Sequence, residues 1–272
     1  MLITHRNEDH RMAIADLTSP SILDPAEAVP AVSAQAVSRR YGHGEATVHA
    51  LRGVSIRVPS GQFTAVMGPS GSGKSTLMHL LAGLDRPTEG RVRIGGEDIT
   101  RMSDKQLTKL RRRHIGFVFQ TFNLLPTLSA KENVVLPLAI AGRKPDRRAL
   151  DTLLHRVGLA ERAGHRPSEL SGGQQQRVAI ARALITEPTV LFADEPTGNL
   201  DSGSGAAILD LLREAVDVDG QTTVMVTHDA AAAAVADRVL FLADGAVVCE
   251  HAGMTVAEIL DTLKALQAPA EP

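Results

Sequence analysis

The sequence predicts an α/β domain built on a mainly parallel sheet, and three observations carry that expectation. Four continuous apolar runs, Phe63 to Met67, Ile115 to Phe119, Thr189 to Ala193 and Thr222 to Thr227, have the character of strands buried on both faces. A glycine-rich loop joins the first run to a helical pattern. Proline-punctuated helical patterns then separate the second run from the third.

Ahead of these runs, Val32 to Pro59 alternates in short stretches, with Gly42, Gly44 and Gly61 as breaks, and Arg91 to Ile94 repeats the pattern. A small antiparallel β-subdomain is expected there. The stretch Thr121 to Leu170, with Pro126, Pro137, Pro145 and Pro167, reads as an inserted α-helical subdomain, extended to about residue 180 by the helix that follows. Near the end, Thr255 and Glu258 form a T-x-x-E capping box. Val256, Ile259, Leu260 and Leu263 then recur at helical spacing. That stripe either packs on the core or serves a partner. Residues 1–31 have no continuous apolar stretch and are expected to be a disordered extension; 268–272 form a tail, leaving 32–267 as the folded domain.

Composition narrows the function. Lys+Arg number 29 against 31 Asp+Glu, a formal net charge of −2, so no general field draws the chain to nucleic acid. The single cysteine, Cys249, excludes an internal disulfide and a multi-Cys metal site, which fits a cytoplasmic protein. No window approaches the ~20 apolar residues of a membrane helix, so membrane work would need a separate chain.

The chemistry starts at Gly68-Pro69-Ser70-Gly71-Ser72-Gly73-Lys74-Ser75, which matches G-x-x-x-x-G-K-S/T between a buried strand and the helical pattern Thr76, Leu77, Leu80, Leu81 and Leu84. Glycines let successive backbone N–H groups turn toward a phosphate, and the following helix adds the positive end of its dipole. Lys74 would reach the β- and γ-phosphates of a nucleotide, as in any enzyme with such a loop, from small-molecule kinases to GTPases, and the Ser75 hydroxyl would bind Mg²⁺. Val190 to Asp194 is an apolar strand ending in a carboxylate placed to hold the metal. Glu195 follows at once, where it would polarise the attacking water. Alone, two adjacent acids could be solvated loop charges; beside the glycine loop they form the second half of a phosphate-transfer site.

Leu170-Ser171-Gly172-Gly173-Gln174-Gln175 supplies a second helix start, capped by the S-x-x-Q box of Ser171 and Gln174. One nucleotide can use both helix starts if two chains meet head to tail. At these residues the sequence resembles the ABC-transporter ATPases, over about Val32 to Gly245, LSGGQ being that family's signature. The resemblance implies further roles. Tyr41 would stack on adenine, Gln120 would touch Mg²⁺ and the attacking water, and His228 would donate to the γ-phosphate. Asn199-Leu200-Asp201 would be the D-loop, with Asp201 at the shared nucleotide.

Three stretches, Gly83 to Thr88, Phe117 to Leu128 and Ala193 to Ser202, resemble the ATPases of the lipoprotein-releasing and macrolide-exporting branch. That branch implies a homodimer on the inner membrane face, held by an integral-membrane permease on a separate chain, with no nucleic acid. Phe122 to Val134 is the stretch expected either to dock the permease or to pack inside the helical subdomain. The alternative function is a soluble ABC ATPase acting on the ribosome or DNA. Such relatives carry two cassettes or a long coiled-coil insertion, and neither is present.

Overall fold

The computed structural model describes residues 29–42 and 44–267. Residues 1–28 of the expected extension and the expected tail, 268–272, lie outside the described residues.

The first strands are β1 (Val32–Tyr41), β2 (Val48–Val58) and β3 (Phe63–Met67), followed by helix α1 (Lys74–Leu81). Next come β4 (Glu89–Ile94), β5 (Glu97–Asp98), α2 (Asp104–His114) and β6 (Ile115–Phe119). The insertion contributes α3 (Ala130–Ile140) and α4 (Arg147–Arg156) before α5 (Gly172–Leu184). The chain continues as β7 (Val190–Asp194), α6 (Ser202–Asp219), β8 (Thr223–Val226) and a short turn of helix, α7 (Ala230–Ala233). It closes with β9 (Arg238–Ala243), β10 (Ala246–Ala252) and α8 (Val256–Gln267).

Two sheets result. The larger has the order β10-β9-β3-β8-β7-β6, parallel except for β10, and the smaller, antiparallel one has the order β2-β1-β4-β5. All five residues of β3 and all four of β8 are buried, as strands covered on both faces require. On one face, Leu77, Leu80 and Leu81 of α1 fill the gap between Val66, Phe192 and Val226 of the large sheet and Val37, Leu51 and Val92 of the small one. On the other, Ile208 and Leu212 of α6 and Ile259 of α8 cover Phe63, Ala65 and Phe241. The helix behind the glycine loop is thus clamped between two sheets, which fixes the loop in front of it.

The insertion has its own core, in which Ala130 and Val134 of α3 meet Leu150 and Leu154 of α4 and Val178 and Ala181 of α5. Pro137 does not break α3, which runs through it to Ile140. A capping box between Ser129 and Glu132 starts the helix, and the buried Asn133 and Leu138 hold it on either side of the proline. Of the stretch expected to meet a permease, Val134 is buried and Leu124 packs on this core, while Leu125 is 45% exposed. At the C-terminus the Thr255–Glu258 box forms as expected. Only Ile259 and Leu263 of the predicted stripe face the core; Val256 and Leu260 stay exposed.

Two strands of the large sheet, β9 and β10, are additions to the sequence expectation. They join through Asp244 and Gly245, both at positive φ, the Asp-Gly pair that suits a tight hairpin turn. Their position matters for the site, because β9 pairs directly with β3.

Candidate functional site

Gly68 leaves β3 with φ 148, and a Cβ there would lie 2.0 Å from the Leu242 carbonyl oxygen of β9. No other residue fits so close a backbone approach. Gly73, at φ 102, is the N-cap of α1, and its own Cβ would lie 2.5 Å from the Ala50 carbonyl oxygen of β2. Between them, the Ser72 amide donates to the Pro69 carbonyl at 3.2 Å and the Gly245 amide donates to the Ser72 carbonyl at 3.1 Å. Strands from both sheets therefore brace the loop. The buried Ser72 hydroxyl sits inside it without a hydrogen-bond partner among the described residues. α1 has no side-chain cap and no acid in its first turn, so its leading N–H groups are open to an anion.

Lys74, half-buried, donates to the carbonyls of Gly68 and Pro69 at 2.9 and 2.8 Å, which holds its ammonium across the loop mouth. Burial pushes its pKa down, against the pull of Glu195 and Asp194, which favours the charged form. Ser75 is exposed and Thr76 half-buried at the helix start.

The acids come from β7, whose last residue, Asp194, pairs with Phe119 of β6 and Val226 of β8. Burial, and next the charge of Glu195, push the Asp194 carboxyl above its ordinary value, with His79 and Lys74 opposing. Glu195 adopts a left-handed backbone (φ 46), a strained position for a residue with a side chain, held by its amide's 2.9 Å bond to the Val226 carbonyl. Its carboxylate accepts from the Thr227 hydroxyl at 3.2 Å and lies 2.8 Å from His228 Nδ1. A carboxylate can only accept, so Nδ1 carries the proton in this contact.

The expected residues are not all on one centre. The Gln120 carboxamide donates to Asn199 Oδ1 at 3.1 Å, Asn199 returns a bond to the Gln120 carbonyl at 3.0 Å, and Gly198 packs against the side chain. Gln120 is thus turned toward the Asn199 loop, and contact with a metal would require that pair to open. His228 spends one nitrogen on Glu195 and leaves the rest of an exposed ring free. Tyr41 donates to Asp85 at 2.7 Å, and the Arg39 guanidinium covers one ring face at 4.4 Å. Asp201 is the N-cap of α6, accepting from the Ser204 amide at 3.0 Å, which holds its carboxyl below the ordinary range.

Ser171 caps α5 as expected: its hydroxyl accepts from the Gln174 amide at 3.3 Å and its amide donates to the Gln174 side chain at 2.9 Å. Gly172 neighbours Leu200 and Phe122, and Gly173 neighbours Ser204; none of these is on the glycine loop. Helix α5 packs beside β6, and the order β3-β8-β7-β6 separates that strand from β3 by three spacings, about 14 Å. The two helix starts do not share one phosphate within a single chain.

The ABC transporter family profile matches residues 51–198, more than half of the chain. The chain belongs to the ABC transporter ATPase family. It is 56% identical over 191 residues to an ABC transporter ATP-binding protein of Thermotoga maritima, covering 70% of this chain and 81% of the relative. It is 49% identical over 236 residues to a macrolide export ATP-binding/permease protein of Rhodopseudomonas palustris, covering 86% of this chain and 36% of the relative. The chain thus spans about a third of the length of that relative. Among solved structures it resembles the dimeric, post-hydrolysis ATP-binding cassette MJ0796 of Methanocaldococcus jannaschii, bound to ADP and Pi. The TM-score is 0.74 at 44% identity, covering 82% of this chain and 99% of that one.

Within this ABC ATPase, Mg²⁺ chemistry can be tested against the residues present. Ser75 and Asp194 offer hard oxygen donors, and the raised Asp194 pKa marks a half-buried carboxylate that a cation would relieve. No cluster of three or more His, Cys, Asp or Glu residues fit to hold a metal occurs among the described residues. Sequence reasoning missed Thr227, Gln176 and Arg182. Gln176 had a legible signal: it shares a helix face with Ala179, Ile180 and Ala183, all buried, so a polar side chain stands at a core position.

Proposed function

We propose that the chain binds ATP with Mg²⁺ and hydrolyses it as a homodimer, in which each subunit's Ser171 helix start meets the γ-phosphate held by the other's glycine loop. The observation that carries this reading is the separation of two anion-ready helix starts within one chain. The dimeric form of the related cassette supports it.

In this reading Gly68, Pro69, Ser70, Gly71, Ser72 and Gly73 cradle the phosphates, Lys74 neutralises their charge, and Ser75 and Thr76 complete the helix start. Ser75 and Asp194 would hold the cation, and Gln120 would join them only if its pairing with Asn199 opened. Bound there, Mg²⁺ would supply positive charge to offset the negative charge of the phosphates. Glu195, oriented by His228 and Thr227, takes the proton of the attacking water. Tyr41, 40% exposed, stacks its ring on adenine. Ser171, Gly172, Gly173 and Gln174 serve the partner's nucleotide, and Asp201 orders the adjoining loop by capping α6.

We extend the reading to transport. Residues 32–267 form the ABC ATPase domain, with its helical insertion at about 121–180. No helix among the described residues is long and apolar enough to cross a membrane. A separate permease on the membrane's inner face, engaged near the exposed Leu125, would convert closure of the dimer into export, lipoprotein release or mechanical force. Calorimetric titration with MgATP tests the site. Lys74→Ala should weaken binding by about 2 kcal/mol or more, roughly thirtyfold; unchanged affinity would refute the assignment.

A further inference from the structure

Helix α5 does more than present Ser171. Gln176, one turn in, is fully buried, and its amide nitrogen donates to two backbone carbonyls: Phe119, the residue before Gln120, at 3.2 Å, and Pro196, the residue after Glu195, at 2.6 Å. Both partners are acceptors, which fixes the orientation of the carboxamide and leaves its oxygen buried with no partner among the described residues. An arrangement that strands an acceptor costs stability and persists only where something else is gained.

Further along the same helix, Arg182 donates to the carbonyls of Phe122, at 2.8 Å, and Asn123. Those two residues both sit at left-handed φ, 48 and 51. Arg182 has no carboxylate partner among the described residues, so its donors go to this strained turn. One helix therefore grips the Gln120 loop at both ends and the Glu195 loop at one.

We propose that Gln176 and Arg182 are positioning residues that make α5 a rigid link, through which contact at Ser171 sets the placement of Gln120 and Glu195 in the same chain. The inference rests on reading Ser171 as the partner's phosphate contact. Each nucleotide, by touching the opposite chain's Ser171, then prepares the opposite chain's own site for hydrolysis. The two sites fire in a coupled manner because the link has no slack: a displaced helix start must carry both carbonyl sets with it.

Two measurements on the 272-residue chain test this. Gln176→Met keeps the volume and deletes the donor. Amide exchange by NMR should show the amides of Phe122 and Gly198, which bond to Phe119 and Glu195, losing protection about tenfold or more while β3 amides are unchanged. In steady-state hydrolysis, kcat should fall about tenfold to a hundredfold with KM within about twofold, and the Hill coefficient for ATP should drop to one. Gln176→Glu, of the same shape but placing an acceptor against two acceptors, should be worse than Met. If Gln176→Met loses protection throughout the fold, Arg182→Lys is read in its place and should show the same local loss with a smaller fall in kcat. Unchanged exchange at Phe122 and Gly198, or a wild-type kcat and Hill coefficient, overturns the link. Absence of hydrolysis by the wild-type chain would instead sink the functional reading, while the exchange pattern still decides whether the clamp exists.

Discussion

Asp194 and Glu195 are consecutive carboxylates with different surroundings, in keeping with the different work proposed for them. Asp194 ends a buried strand, where burial and its neighbour's charge oppose ionisation. Its folded pKa therefore lies above its ordinary value of 3.8, and between those two pH values the folded chain holds a proton that the unfolded chain has released. Stability falls as pH rises through that window and the cost is fully present above it. Asp194→Asn, without nucleotide or metal, should melt above the wild type at neutral pH, with the two curves merging as pH falls below the window. Circular dichroism melts across pH check this, and a variant melting lower at neutral pH would contradict it. His228→Ala leaves Glu195 with only the Thr227 hydroxyl, so turnover should fall about a hundredfold with ATP affinity little changed; an equal loss in both, by calorimetry and steady-state assay, would place His228 on the nucleotide instead. The acids and the lysine were legible in the sequence because the glycine loop and strand end are local patterns. The turn of Gln120 toward Asn199 was not, since their pairing spans 79 positions and depends on how two loops meet in space.

At the level of elements, Ser171 caps α5 and, on the proposed reading, would also meet the partner's phosphate, two duties that substitutions can separate. Asp caps a helix as well as Ser does, so Ser171→Asp should melt like the wild type. Its carboxylate would repel the partner's γ-phosphate and abolish ATP-dependent dimerisation and turnover. Ser171→Ala should do the reverse, costing about 1 kcal/mol of stability, a melting shift of about 2–4 °C, with turnover reduced far less. Differential scanning calorimetry and an ATPase assay distinguish the two; normal turnover in Ser171→Asp would remove the trans contact. The boxes at Ser171 and Thr255 were readable because each is a four-residue pattern ahead of an apolar period. The strands β9 and β10 were harder to place: the apolar sequence from Ala230 runs through Ala236 almost without a break, and helix-forming alanines blur where the strand begins. The price of that omission was the loop's second brace, since Leu242 and Gly245 both belong to this hairpin.

Across the whole molecule, strand order decides the functional unit. A sheet that puts β6 three strands from β3 keeps α5 away from its own glycine loop, while Arg156 of α4 ties the insertion to α6 by pairing with Glu214 at 2.9 Å and with Asp219. Exposed pairs of this kind are individually weak, so the insertion is held chiefly by the core it shares with α5. On the proposed reading a second chain supplies the missing part of the active site, a reading that no single motif carries and that the strand order supports. The most direct measurement is light scattering on Glu195→Gln with MgATP, beside an assay of the bound nucleotide. Gln keeps the shape and removes the carboxylate that should take the water's proton, and it also removes negative charge near the γ-phosphate. ATP should be held at least as firmly as in the wild type and remain largely unhydrolysed, so the variant should accumulate as a stable dimer of two chains. A variant that stays monomeric with ATP and hydrolyses it at the wild-type rate would contradict both Glu195 as the base and the shared site.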